Sequence, residues 1–230
     1  MNILSLFVLI PVLMLLGLWI ARNLYQVRGV MVAGSSALLA LSIWLTFYFI
    51  QQRAGGNTAE MLLTASTPWF KPLNIAYSVG VDGISVVMLL LSSIIVFTGT
   101  FASWQLKPLT KEYFLWFTLL STGVYGFFIC TDMFTMFMFY EVALIPMYLL
   151  IGVWGSGAKE YAAMKLTLML MGGSALLIIG LLGIYFYSGA TTMNVNEIAA
   201  LHNIPVDMQK VFFPFIFIGF GVLGALFPFH

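Results

Sequence analysis

An acid in the middle of an uncharged stretch is the first residue with chemical promise. Glu141 stands nine residues after Asp132 and is the one charged side chain between positions 133 and 154. If the segment is helical, the separation is about 13–14 Å along the axis. A carboxyl removed from water favours its neutral form, whereas a nearby cation or a chain of waters favours the ionised one. A group held between those influences can take up and release a proton as its surroundings change. Tyr148, seven residues on, shares its helical face. Pro146 removes the backbone hydrogen bond to Val142 and loosens the helix beside the acid. Hydroxyls at helical spacing form further polar stripes: Thr118, Ser121, Thr122 and Tyr125, then Ser85, Ser92 and Ser103. One such hydroxyl alone reads as interhelical glue worth about 0.6 kcal/mol. Several together suggest a hydrated interior converging on Glu141. Lys165 is either a snorkelling interfacial lysine or a cation in a proton path. Gly219, Gly221 and Gly224, followed by Phe227-Pro228-Phe229-His230, suggest a broken helix carrying a titratable histidine.

The elements that must position these groups follow from composition. Of 230 residues 62% are hydrophobic and 7% charged, against about 25% charged in a soluble domain. Apolar stretches long enough to cross a bilayer, about 20 residues each, occupy positions 3–21, 29–52, 83–106, 113–154, 166–188 and 211–229, uncharged except for Asp132 and Glu141 in the fourth. The fourth is twice the needed length and must fold back at Cys130-Thr131-Asp132, giving spans at 113–131 and 133–154. The reading is an all-α, polytopic transmembrane bundle of about seven spans. β-Barrel strands would be shorter and would alternate in polarity. The first span lacks a basic leader and is expected to be retained rather than cleaved.

Lysines and arginines favour an external N-terminus. Arg22, Arg28, Lys107, Lys111, Lys159 and Lys165 then lie inside, and Arg53, Lys71 and Lys210 outside. That arrangement puts the long connections 51–82 and 189–210 outside, the first as a partly ordered extramembrane cap.

Other chemistries are excluded. The net charge of +1 offers no field for nucleic acid. A single cysteine, Cys130, cannot by itself bind zinc or an iron–sulfur cluster. No phosphate-cradling glycine loop and no Ser/His/Asp set occurs. His202 and the run Met133, Met136, Met138 read as a solvated loop and a packed core. Ion movement is the work that remains.

Several motifs then carry a resemblance. Val79-Gly80-Val81-Asp82-Gly83-Ile84-Ser85 resembles the LGVDGIS element of the antiporter-like subunits of respiratory complex I. The stretch from Phe137 to Gly155, with Tyr140-Glu141-Val142-Ala143-Leu144-Ile145-Pro146-Met147-Tyr148 at its centre, resembles their FWExxLIPMYLLIGxWG signature. Tyr161-Ala162-Ala163-Met164-Lys165 is similar to their YAAxKF, and Phe227-Pro228-Phe229-His230 to the start of PxHxWLPDAH. The combination points to the subunit M group, over essentially the whole chain.

The resemblance implies a redox-driven proton translocator of an NADH:quinone oxidoreductase in a bacterial inner membrane. Glu141 would be the essential acid of a half-channel, Lys165 and His230 would share in proton transfer, and Asp82 would be structural. The chain would hold no cofactor, while NAD, FMN, iron–sulfur clusters and quinone would reside in partner subunits. Residues 1–112 would form three N-terminal helices with their cap. Residues 113–230 would open the first of two inverted repeats, in a fragment of a protein about twice as long. Members usually carry a lysine seven residues before the histidine, where this chain has Leu223. Multi-subunit Na⁺/H⁺ antiporters and membrane-bound hydrogenases share these motifs, and a non-pumping structural subunit is the third alternative.

Overall fold

The computed structural model describes residues 2–229. After a 3₁₀ turn at Ile3–Ser5 come α1 (Leu6–Ile20), α2 (Leu24–Ala54), β1 (Leu62–Phe70), β2 (Ile75–Val81), α3 (Gly83–Ala102) and α4 (Thr110–Ile129). They are followed by α5 (Met133–Trp154), α6 (Lys159–Ser188), a short α7 (Val195–Leu201) and α8 (Val206–Leu223). Residues 3–20, α2, α3, α5, α6 and α8 are long and apolar enough to cross a membrane. Among the described residues the 20-residue α4 is the seventh long helix, its hydropathy lowered by Lys111 and Glu112 in its first turn and by Tyr113, Thr118, Ser121, Thr122 and Tyr125. The protein is a multi-pass integral membrane protein with the helical architecture expected.

The ends of the helices have local causes. The Asp82 carboxylate caps α3 by accepting from Ser85 N–H at 2.7 Å. Asn194 caps α7 by accepting from Asn196 N–H at 3.0 Å. Gln26 Oε1 accepts from the N–H groups of Arg22 and Asn23 at the start of α2. α6 closes on Gly189, whose φ of +64° suits a glycine.

Three features depart from the sequence reading. α2 and α6 run past the uncharged stretches to Leu24 and Lys159, because long basic side chains in terminal turns can reach out of the hydrocarbon. The last span is shifted from 211–229 to Val206–Leu223: Pro205 sets its start, and the chain turns out of it at Gly224 and Ala225. The cap at 51–82 contains a hairpin, β1 paired with β2, which the all-helical reading omitted.

The chain forms two compact units, one of residues up to 65 with 79–130, the other of 66–78 with residues from 131 on. In the first, α1 packs on α2 and α4, α2 on α3, and α3 on α4. Phe7, Met31, Leu38, Leu89, Phe114 and Tyr125 are buried there. Lipid tails are as apolar as these side chains, so close packing and hydrogen bonds hold the unit together rather than a hydrophobic drive. In the second, α6 packs on α5 and α8. Gly219 of α8 makes the α6–α8 approach possible: a Cβ there would stand 2.9 Å from Leu177 Cβ and 3.0 Å from the Gly173 carbonyl oxygen. That glycine serves packing, and the break lies five residues further on, at Gly224.

Candidate functional site

The break at Cys130-Thr131-Asp132 is where the site begins. Asp132 is 1% exposed, and both its oxygens are engaged by backbone donors of the second unit. Oδ1 accepts from Thr135 N–H at 2.9 Å, capping α5, and Oδ2 accepts from Ala76 N–H at 3.2 Å. Thr135 Oγ1 donates to the Ala76 carbonyl at 3.1 Å. On the other side Met133 N–H donates to Met193 O and Val195 N–H to Thr131 O, both at 2.9 Å. Thr131 N–H also donates to Ser78 O at 2.9 Å. The first turn of α5 is thus tied to the segment 76–78 and to 193–195. Such a tie fixes the depth and rotation of everything further along the helix.

Two and a half turns later that helix presents Glu141. The residue is half-buried, and its Oε1 is buried with no hydrogen-bond partner among the described residues. It lines a cleft of about 550 Å³ with Phe137, Leu144, Ile145 and Tyr148 of α5 and Thr167 and Met171 of α6. The Tyr148 side chain is 41% exposed, and Pro146 lies buried in the same turn. A carboxyl oxygen among aromatic and aliphatic walls has three physical options: carry a proton, hold water, or pay the cost of an uncompensated charge. Tyr148 and Thr167 supply hydroxyls along that cleft.

Lys165 lies in the second turn of α6, exposed, with Nζ 5.9 Å from the Tyr161 ring centroid, at the edge of cation–π range. Among the described residues the ion pair present is exposed Lys210 with Asp207, 3.9 Å apart; no Lys or Arg pairs with Glu141. Leu223 is 38% exposed in the last turn of α8. His230 lies outside the described residues. Asp82 is the α3 cap already described.

The hydroxyl stripes have other partners than the acid. Thr118 donates to Phe114 O, Ser121 and Thr122 to Thr118 O, and Tyr125 to Ser93 Oγ at 3.2 Å, all within the first unit. Ser92 bonds Met88 O, and Ser103 bonds the Tyr113 hydroxyl. These bonds engage the hydroxyls within the first unit, most of them with backbone carbonyls three or four residues earlier.

Sequence reasoning missed Asp132 as a clasp, Ser93 as the partner of Tyr125, and Thr167 as a wall of the Glu141 cleft. Thr167 could have been found: it shares a helical face with Met171 and Ser174, at steps of four and three residues.

Comparison with known proteins places this geometry. Residues 130–230 match the family described as NADH:quinone oxidoreductase/Mrp antiporter, transmembrane. The chain is 32% identical over 210 residues to NADH-quinone oxidoreductase subunit M of Rickettsia typhi, covering 90% of this chain and 42% of that protein. It is 33% identical over 162 residues to NAD(P)H-quinone oxidoreductase chain 4-2 of Synechocystis sp., covering 70% and 29%. It therefore spans less than half the length of these relatives.

Among solved structures, a chain of respiratory complex I from Thermus thermophilus superposes with a TM-score of 0.85 at 21% identity, over 99% of this chain and 45% of that one. A chain of the Mrp complex from Dietzia sp. superposes at 0.80 and 21% identity, over 99% and 41%. A chain of an archaeal membrane-bound sulfane sulfur reductase does so at 0.82 and 21%, over 100% and 46%. At such identities these structures establish the shared fold. Residues 130–230, which hold the motifs around Glu141, thus match the NADH:quinone oxidoreductase/Mrp antiporter transmembrane family, and the whole chain shares the fold of the membrane subunits it superposes on.

Proposed function

We propose that the chain is a proton-translocating membrane subunit of an NADH:quinone oxidoreductase, with Glu141 as the group that loads and releases the proton. The observation that carries this reading is the buried, unpartnered Oε1 of Glu141, a residue that lines an open, largely apolar cleft. A change in local positive potential or hydration beside that carboxyl would drive its loading and release of the proton. Redox chemistry in partner subunits would supply that change, passed along the membrane arm as an electrostatic or conformational shift. Tyr148 and Thr167 would order water between Glu141 and its proton donor or acceptor. This chain breaks no covalent bond; NAD, FMN, iron–sulfur clusters and quinone belong to the partners.

Lys165, one turn before Met169 and two residues before Thr167 on α6, is proposed as a cation that biases the cleft from its inner end. His230 is proposed as a later member of the path. With Leu223 in place of the family's usual lysine, Lys165 becomes the basic group of this region on which the bias depends. The N-terminus is proposed to lie outside a bacterial inner membrane, and the segment from α4 onward to open the first inverted repeat.

The test is proton uptake by vesicles carrying the assembled complex during NADH oxidation. Glu141→Gln should reduce pumping to the background leak while the complex assembles and the quinone site still binds. Undiminished pumping by a normally assembled variant would overturn the proposal. A second reading draws on the fold likeness to a chain of the Mrp complex, at a TM-score of 0.80 against 0.85 for the complex I chain: Glu141 would serve ion exchange without NADH. Sodium-dependent, NADH-independent proton movement lost in Glu141→Gln would select that reading.

A further inference from the structure

Pro146 interrupts the hydrogen-bond ladder of α5 just beyond Glu141. A proline has no N–H, so the Val142 carbonyl loses the donor that a helix would supply from position 146. Val142 lines the same cleft as Glu141. Two acceptors on consecutive residues therefore lack their expected donors: the Val142 carbonyl and the buried Oε1 of Glu141. The other prolines inside described helices lack this company. Pro11 withholds a donor from the Phe7 carbonyl in α1, a helix with no ionisable side chain. Pro214 withholds one from the Lys210 carbonyl in α8, beside the exposed Asp207–Lys210 pair.

We propose that a water is held at this point, donating one hydrogen to the Val142 carbonyl and the other to Glu141 Oε1. Pro146, by freeing that carbonyl, is then a positioning residue for proton exchange. This rests on Glu141 as the exchanging acid and names its immediate partner. Two facing acceptors need a donor with two hydrogens. The acid cannot bridge the gap alone: a helical side chain leans towards the N-terminus, whereas the carbonyl points towards the C-terminus. Water needs room and two to four polar partners. The cleft of about 550 Å³ gives the room, and the Tyr148 and Thr167 hydroxyls on its walls can donate to the water oxygen. Ordered water is one of the ways in which a proline-freed carbonyl inside a membrane span is satisfied. Held there, the water is the first station between Glu141 and those hydroxyls.

The experiment combines redox-triggered infrared difference spectra with NADH-driven proton uptake, both on the assembled complex in vesicles. Pro146→Ala restores the N–H and closes the Val142 carbonyl into the ladder. It should shift the Glu141 carboxyl C=O band to higher wavenumber and lower pumping, with a melting temperature no lower than that of the wild type. It should also remove a water O–H band, identified in the wild type by its shift in heavy-oxygen water. Pro146→Gly restores the same N–H but leaves the backbone loose, and should show the same spectral changes. Pro11→Ala should show none of them. An unmoved carboxyl band in Pro146→Ala, or a shift there that Pro146→Gly lacks, would overturn the proposal. If Glu141→Gln still fails to pump, that result removes the water site alone; a Glu141→Gln variant that pumps removes the acid's role as well.

Discussion

The two units bond their buried hydroxyls alike, Ser174 and Ser188 of the second also donating to carbonyls three residues earlier, and they differ in the charged group each leaves partly unsatisfied. In the first, the buried hydroxyls are closed off: Ser35, Ser42, Ser93, Thr100 and Thr118 each donate to a backbone carbonyl three or four residues earlier. Among its described residues the orphaned buried side-chain atom, Arg28 Nε, belongs to a guanidinium that is otherwise engaged. Nη2 of that group donates to the Trp104 carbonyl at 2.6 Å, and the cation lies over the Trp104 ring at 4.8 Å. The second unit holds an orphan of another kind, a buried carboxyl oxygen on a residue that lines an open cleft. A membrane helix with every polar group satisfied locally is a scaffold. One that leaves an ionisable group unsatisfied beside a cavity has kept it available for exchange.

Mutations that break this contrast should differ in size and in readout. The largest stability loss is expected from Asp132→Ala, which leaves the Ala76 and Thr135 N–H groups buried without acceptors. Together with the lost cap this should cost about 3 kcal/mol, seen as a lower melting temperature of the complex. Asp132→Asn keeps an acceptor and should lose far less.

Gly219→Ala comes next. Its Cβ meets Leu177 and the Gly173 carbonyl, with backbone that cannot swing away, at a cost of roughly 1–3 kcal/mol. Gly172→Ala on the neighbouring turn of α6 meets nothing within 4 Å and should be neutral or slightly stabilising. Equal effects of the two would remove the close α6–α8 approach from the account.

The smallest effects belong to the first unit. Thr118→Ala and Ser121→Ala should each cost about 0.6 kcal/mol and leave vesicle pumping unchanged. Tyr148→Phe should lower pumping with no loss of stability. A pumping defect in Thr118→Ala as large as that of Tyr148→Phe would erase the distinction between the units.

What could be read from the residues follows the range of the interactions. α5 runs over the expected 133–154, because Asp132 before it and Gly155 after it are local punctuation. Glu141 with Tyr148 could be placed on one cleft because helical spacing is also local. The Asp132 clasp could not: Ala76 is 56 positions away, and no pattern in the chain announces that partner. The hairpin was hidden for a related reason. β1 carries Pro68 and is exposed along nearly all its length, so it lacks the alternation that marks a half-buried strand. The hydroxyl stripes were correctly seen as helical faces, but spacing alone does not say which neighbour a face meets.

The central claim is that Glu141 changes its proton occupancy during turnover. Redox-triggered infrared difference spectroscopy on the assembled complex reads this directly. The account predicts a protonated-carboxyl C=O stretch that appears or disappears when NADH is added, and that is absent from the Glu141→Gln difference spectrum. A difference spectrum in the carboxyl region that is identical in wild type and Glu141→Gln would contradict it.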